Sequence, residues 1–267
     1  MNIIRFFSSD HNGCPVDAWI HTTGAENQEK LYPAVVILPG GGYGYISERE
    51  AEPVAEKYFA AGYNTFIVRY SVKDRARDFI PLIQLTSTIA LIRENSTSWV
   101  TIPDKIAVCG FSAGGHLACS SGVLYNEPHF LKVAPVKDHI RPDAMILCYP
   151  VITADEFAHS DSIEAVSGAC KGSDEYLWFG LDSHVDKDTP PTFIWHTAED
   201  TCVPVENSLK FASALSAKKI PFELHIFPEG QHGMSVCTGQ ENTKCEYVGR
   251  WVSMSIRWLN KIFEFTY

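Results

Sequence analysis

Apolar residues in this chain come in short unbroken runs, separated by stretches in which they recur at spacings of three and four. Ala34-Val35-Val36-Ile37-Leu38 is the clearest run, and others lie at Thr65 to Arg69, Ile106 to Cys109, Ala144 to Cys148, Thr192 to Trp195 and Phe222 to Phe227. A strand that is apolar at every position has both faces covered, as in a parallel sheet held between helical layers. Two earlier segments, Ile3 to Phe7 and Val16 to Thr22, alternate instead and predict an antiparallel ribbon ahead of that sheet. Ser47-x-x-Glu50 has the form of a capping box opening a helix through Tyr58 to Ala61, closed by Gly62. Leu82 to Arg93 predicts a second helix and Tyr247 to Phe263 the last. Alternation of this kind predicts the α/β class, with a mostly parallel central sheet flanked by helices.

The stretch from Thr153 to Pro190 breaks the rhythm. It is rich in turn residues and acids and carries Phe157, Tyr176, Trp178 and Phe179. Placed after a strand end, such a segment reads as a short cap-like insertion, roughly 153–190, at the carboxyl edge of the sheet where ligands bind. At 267 residues the whole chain, 1–267, fits one large domain.

Composition narrows the function classes. A chain that is 45% apolar and 12% aromatic can fill a real core, and no apolar run is long enough to span a bilayer, so no membrane partner is expected. The N-terminus lacks the sustained apolar stretch and cleavage site of a secretory signal, which favours a cytoplasmic protein. Of the eight cysteines, Cys109 and Cys148 sit in apolar runs, Cys119 lies in a helical pattern, and none forms a C-x-x-C pair. They read as reduced, buried small hydrophobes. A net charge of −10 argues against nucleic acid or anionic lipid, both of which reward clustered Lys and Arg. The apolar residues of the last helix serve the core and are compatible with a homo-oligomer face as well.

The chemistry centres on Gly110-Phe111-Ser112-Ala113-Gly114-Gly115, which follows the apolar run ending at Cys109 and opens a small-residue helix through His116, Leu117, Ala118 and Cys119. A serine at the apex of a tight strand-to-helix turn has its hydroxyl exposed by a strained backbone, and glycines two before and two after it remove side chains that would collide. Serine is a poor nucleophile at neutral pH and needs a base, itself oriented by a carboxylate. The run Thr192 to Trp195 leads into the polar loop His196-Thr197-Ala198-Glu199-Asp200, where Asp200 is the choice for the acid and Glu199 the rival. For the base, Pro228-Glu229-Gly230-Gln231-His232-Gly233 follows the last strand; glycines beside His232 let it swing toward the serine, and an imidazole exchanges protons near neutrality. His225 lies within a strand, while His11, His21, His129, His139, His159 and His184 sit in segments without matching context. His116 and His196 are near enough in sequence to shape the site through hydrogen bonds. Pro39-Gly40-Gly41-Gly42-Tyr43, directly after the first apolar strand, lacks the pattern of a phosphate or dinucleotide loop. Its Gly41 and Gly42, with Ala113, are candidate backbone donors to an oxyanion.

Taken together, Pro39 to Tyr43, Ser47 to Ala55, Gly110 to Ala118, His196 to Asp200 with Val203-Pro204, and Gly230 to Gly233 resemble the α/β-hydrolase superfamily. More closely they are similar to small bacterial acetyl esterases and acetyl-xylan-esterase-like sugar esterases, from about Pro33 to the C-terminus. The resemblance implies the α/β-hydrolase fold, supports Asp200 as the acid, and implies a serine esterase acting on a small acetyl-type ester such as that of an acetylated sugar. It requires no metal and no organic cofactor. Tyr43, Tyr45 and His116, with the aromatics of the insertion, are candidates to line the alcohol pocket. Pro39 stands where the hormone-sensitive-lipase-like pattern has a histidine, which leaves open what anchors the glycine loop. A peptidase of the same superfamily usually carries a large gating domain, for which this chain has no room; a ligand-binding protein on an inactive hydrolase scaffold is the other alternative.

Overall fold

The computed structural model describes residues 1–9, 12–23, 30–239 and 243–267; His11 lies outside them. One eight-stranded sheet runs β1 (Asn2–Phe7), β2 (Pro15–Ile20), β4 (Asn64–Val68), β3 (Tyr32–Leu38), β5 (Thr101–Phe111), β6 (Ala144–Cys148), β7 (Thr192–Thr197), β8 (Phe222–Phe227). β2 is antiparallel to both of its neighbours, and every pairing from β4 to β8 is parallel. The ribbon and the parallel sheet thus both form. β5 begins earlier than its apolar run because Thr101 pairs with Tyr32 across a register shift.

Strands with two covered faces divide their side chains between two cores. Ala34, Val36 and Leu38 of β3, with Met145 and Leu147 of β6, join one core, where α2 (Ile80–Glu94), α3 (Ala113–Val123) and α7 (Glu206–Ala217) contribute Leu85, Leu117 and Phe211. Val35 and Ile37, with Ile146, Phe193 and Trp195, join the other, closed by Tyr58 of α1 (Glu52–Ala60) and by Trp251 and Leu259 of α8 (Glu246–Ile262). Trp195 stacks on Trp251 with ring centroids 5.1 Å apart. Each fully buried side chain of this size contributes about 1.5–3 kcal/mol, so the sheet is a rigid platform for the loops at its carboxyl edge. β8 departs from expectation. Only Phe227 of its residues is buried, because an edge strand has a neighbour on one side alone.

The capping box at Ser47 and Glu50 does not form either. Ser47 makes no side-chain cap bond, a short 3-10 turn at Glu48–Glu50 precedes α1, and Glu50 turns into the interior. Residues 153–190 hold α5 (Ser160–Ser167), α6 (Asp174–Trp178) and a 3-10 turn at Leu181–His184, and α4 (Pro128–Leu131) lies just after α3. Tyr176 and Phe179 are buried in the first core with Phe130, and Trp178 packs edge-on against Phe79. The aromatics of the insertion therefore fasten it to the body; Phe157 sits under the Lys210 ammonium, 5.2 Å from the ring centroid.

Candidate active site

The chain passes from β3 to β4 on one side and then returns to β5 on the other, so the loops leaving β3 and β5 diverge at the point where strand order reverses. Leu38 and Gly110 are partners in the register, which brings the glycine loop and the Ser112 turn together. A Cβ on Gly40 would lie 2.9 Å from the Phe111 carbonyl oxygen and 3.0 Å from Ser112 Cβ; the loop lies directly against the turn. A Cβ on Gly114 would run into the Leu38 and Pro39 carbonyl oxygens, and one on Gly110 into Gly114 and Ala118. These contacts, more than conformational freedom, require glycine on both sides of the serine.

Ser112 has φ 53° and ψ −120°, a conformation that costs on the order of 1–3 kcal/mol and persists only where its surroundings over-determine it. They do so here: the Ser112 N–H donates to Cys148 O at 3.0 Å, and the N–H groups of His116 and Val151 each donate to Ser112 O at 3.1 Å. The hydroxyl that results is 2.8 Å from His232 Nε2, and His232 Nδ1 is 2.6 Å from Asp200 Oδ2. A carboxylate can only accept, so Nδ1 carries the proton and Nε2 presents its lone pair to the serine O–H. That is the tautomer a general base needs. The His232 ring meets Tyr149 edge-on, centroids 5.0 Å apart.

Asp200 is the more constrained partner. Its other oxygen, Oδ1, accepts from the N–H groups of Cys202 and Val203 at 2.9 Å each. Burial alone would raise this carboxyl; hydrogen bonds from His196 and His232, the His232 charge and the Val203 N–H overcome that and hold it well below the ordinary carboxylate range. His196, fully buried, gives its Nε2 proton to Val203 O at 3.0 Å with Asp200 Oδ2 at 3.3 Å, and its Nδ1 accepts from the Ser208 hydroxyl at 2.8 Å. The rival Glu199 points elsewhere, accepting from the Gly230 N–H at 3.4 Å.

The glycine loop is anchored without a histidine. Tyr70 O–H donates to Pro39 O at 2.6 Å, and buried Glu50, 2% exposed, accepts the Gly40 N–H on Oε2 at 2.8 Å. Glu50 Oε1 accepts Tyr149 O–H at 2.6 Å, and that phenol oxygen accepts the Ser235 N–H at 3.0 Å. One carboxylate thus ties the glycine loop to the segment that follows His232. Neither Glu50 nor Tyr149 has an assigned role in the sequence; Glu50 lies in the capping-box pattern that does not form and in the Ser47 to Ala55 stretch of the family resemblance, which gives it none. Gly41 and Gly42 have φ of 123° and 62°. Among the described residues, the N–H groups of Gly41, Gly42 and Ala113 have no protein acceptor.

The expected pocket residues separate. Tyr43 is buried, its O–H donating to His116 Nδ1 at 2.9 Å, and His116 is buried with Nε2 donating to Phe179 O at 3.1 Å. Burial lowers the His116 imidazole from 6.5 to about 4. Both are enclosed by protein, and together they brace the glycine loop against the insertion. Tyr45, 61% exposed, stays at the surface. Conversely His159, which the sequence leaves without context, arrives beside the loop: a Cβ on Gly42 would be 3.9 Å from its Cε1.

Residues 22–215 match the BD-FAE family. Over 222 residues the chain is 35% identical to endo-1,4-beta-xylanase B of Butyrivibrio fibrisolvens, covering 80% of this chain and 34% of that protein. It is 30% identical over 214 residues to an acetylxylan esterase of Xylanibacter ruminicola, covering 77% and 42%. The chain therefore spans about a third to two-fifths of the length of these curated relatives. The crystal structure of an acetyl ester-xyloside bifunctional hydrolase from Caldicellulosiruptor lactoaceticus superposes with a TM-score of 0.84 at 33% identity, covering 97% of this chain and 96% of the other.

Proposed function

The chain belongs to the BD-FAE family, and from that premise we propose that it is a serine esterase that cleaves small acetyl-type carboxylic esters, those of acetylated sugars foremost. The observation that carries the proposal is the imidazole of His232, engaged on both nitrogens: Asp200 at 2.6 Å and Ser112 at 2.8 Å. Ser112 Oγ attacks the acyl carbonyl carbon as its proton passes to His232 Nε2, and Asp200 stabilises the imidazolium. The N–H groups of Gly41, Gly42 and Ala113 receive the oxyanion. Collapse of the tetrahedral intermediate breaks the C–O bond, and the departing alcohol takes the proton from His232. Water, deprotonated by the same histidine, then attacks the acyl-enzyme and releases the carboxylic acid and Ser112.

The acetylated-sugar part rests on similarity to the Xylanibacter acetylxylan esterase and the Caldicellulosiruptor acetyl ester-xyloside hydrolase. Among the described residues, no helix is long and apolar enough to cross a membrane. Turnover of p-nitrophenyl acetate and of acetylated xylose, together with fluorophosphonate labelling mapped to Ser112, tests the reading. Well-folded protein that neither turns over an ester nor takes the label at Ser112 would return it to the class of inactive scaffolds.

A further inference from the structure

We propose that His159 selects the alcohol half of the substrate, its Nε2 hydrogen-bonding a hydroxyl next to the ester; this rests on the esterase reading above. Three features of the fold lead there. First, the ring stands beside the site. Its Cε1 and the Ser162 Oγ that pairs with its Nδ1 would each lie 3.9 Å from a Cβ on Gly42, so the ring packs against the glycine loop. It is also near enough to His232 and Asp200 for their charges to act on it. A ring beside both the glycine loop and the histidine that protonates the leaving group is set to meet the departing alcohol. An acetyl methyl has nothing to hydrogen-bond, so a polar atom there can read only the alcohol.

Second, the ring is held. Its Nδ1 is 2.9 Å from Ser162 Oγ, and His159 is the residue that opens α5. The backbone leading to it is pinned by Asn207, whose Oδ1 accepts from the N–H groups of Ile152 and Thr153 and whose Nδ2 donates to Phe157 O at 2.9 Å. Asn207 stands one residue into α7, just past the loop of Asp200, so the insertion and the acid share a mount. Third, Nε2 is free. Either tautomer satisfies Nδ1 with Ser162, and no described residue bonds Nε2. Burial lowers the imidazole, as does the charge of His232, while Asp161 and Asp200 oppose them; the net direction is downward, toward a neutral ring.

Steady-state kinetics of His159→Phe and His159→Gln on acetylated xylopyranose and on p-nitrophenyl acetate, whose alcohol has no second hydroxyl, test the assignment. For His159→Phe the ratio of kcat/KM between the sugar ester and p-nitrophenyl acetate falls about tenfold, mostly through KM, as expected for one lost hydrogen bond. His159→Gln, which keeps a donor and an acceptor, recovers part of the ratio and serves as the reporter should the phenylalanine variant misfold. A ratio unmoved in the folded variants, or both esters falling together, overturns the role of His159 while leaving the esterase intact. Wild-type enzyme that cleaves p-nitrophenyl acetate but no acetylated xylose also overturns it, and wild-type enzyme inactive on every ester fails at the earlier step, the esterase itself.

Discussion

The turn that carries Ser112 and the loop from Pro39 to Tyr45 lie against each other over neighbouring strands, yet they are held differently. The turn makes part of its own frame: its glycines clear the space and the helix it opens bonds back to Ser112, while its other two backbone bonds come from Cys148 and Val151 at the end of the adjacent strand. The loop borrows its anchors from distant parts of the chain, Tyr70, Glu50 with Tyr149, and His116 through Tyr43. Local construction makes a reactive group easy to recognise. Borrowed construction makes preorganisation depend on the whole fold, because backbone N–H donors are useful only while something stiff aims them.

Substitutions can pull these two modes apart. Ser112→Ala removes the self-made element and lowers kcat by about 10⁴-fold or more, with little change in thermal midpoint; an assay on p-nitrophenyl acetate checks it, and a variant that keeps normal turnover removes Ser112 from the mechanism. Glu50→Gln attacks the borrowed anchors. With Tyr149 kept on the carbonyl oxygen, the amide NH₂ would face the Gly40 N–H, so kcat falls about 10²-fold while KM moves little; unchanged kcat in stable protein would mean that the loop needs no such tie.

The His116 brace gives a pH signature. Its folded value, about 4, lies below its unfolded 6.5, so the unfolded chain takes up a proton that the folded one refuses. Its contribution is complete above pH 6.5 and is lost as pH falls toward 4. Between pH 7 and 5 it accounts for about 2 kcal/mol of lost stability, a slope that denaturant titrations should find missing in His116→Gln. Tyr43→Phe is the mildest. It leaves His116 Nδ1 without its donor, costs about 1 kcal/mol and slows turnover a few-fold; equal stability and rate in both proteins would show that the brace is dispensable.

Several misreadings share one origin. Ser47-x-x-Glu50 has the same spacing whether the glutamate returns to cap a helix or turns inward to receive Gly40 and Tyr149, and nothing within four residues tells the two apart. Phe222 to Phe227 has the composition of a covered strand, and only its place at the end of the strand order exposes it. Tyr43 and His116 look like pocket residues because they adjoin the motifs, but the loop and helix turn them toward each other and away from solvent. His159 has no motif at all.

Patterns of short range carried most of the architecture: the unbroken apolar runs, the glycines around Ser112, and the polar loops that follow strand ends at His196 to Asp200 and Gly230 to Gly233. Such features record steric and hydrophobic requirements of neighbouring residues, which any stretch of chain displays. The meeting of Ser112, Asp200 and His232, the inward turn of Glu50 and the arrival of His159 beside the glycine loop arose only on folding. Each needs residues from separate strands and helices to share a few ångströms, and that proximity is set by strand order and packing, quantities with no local trace.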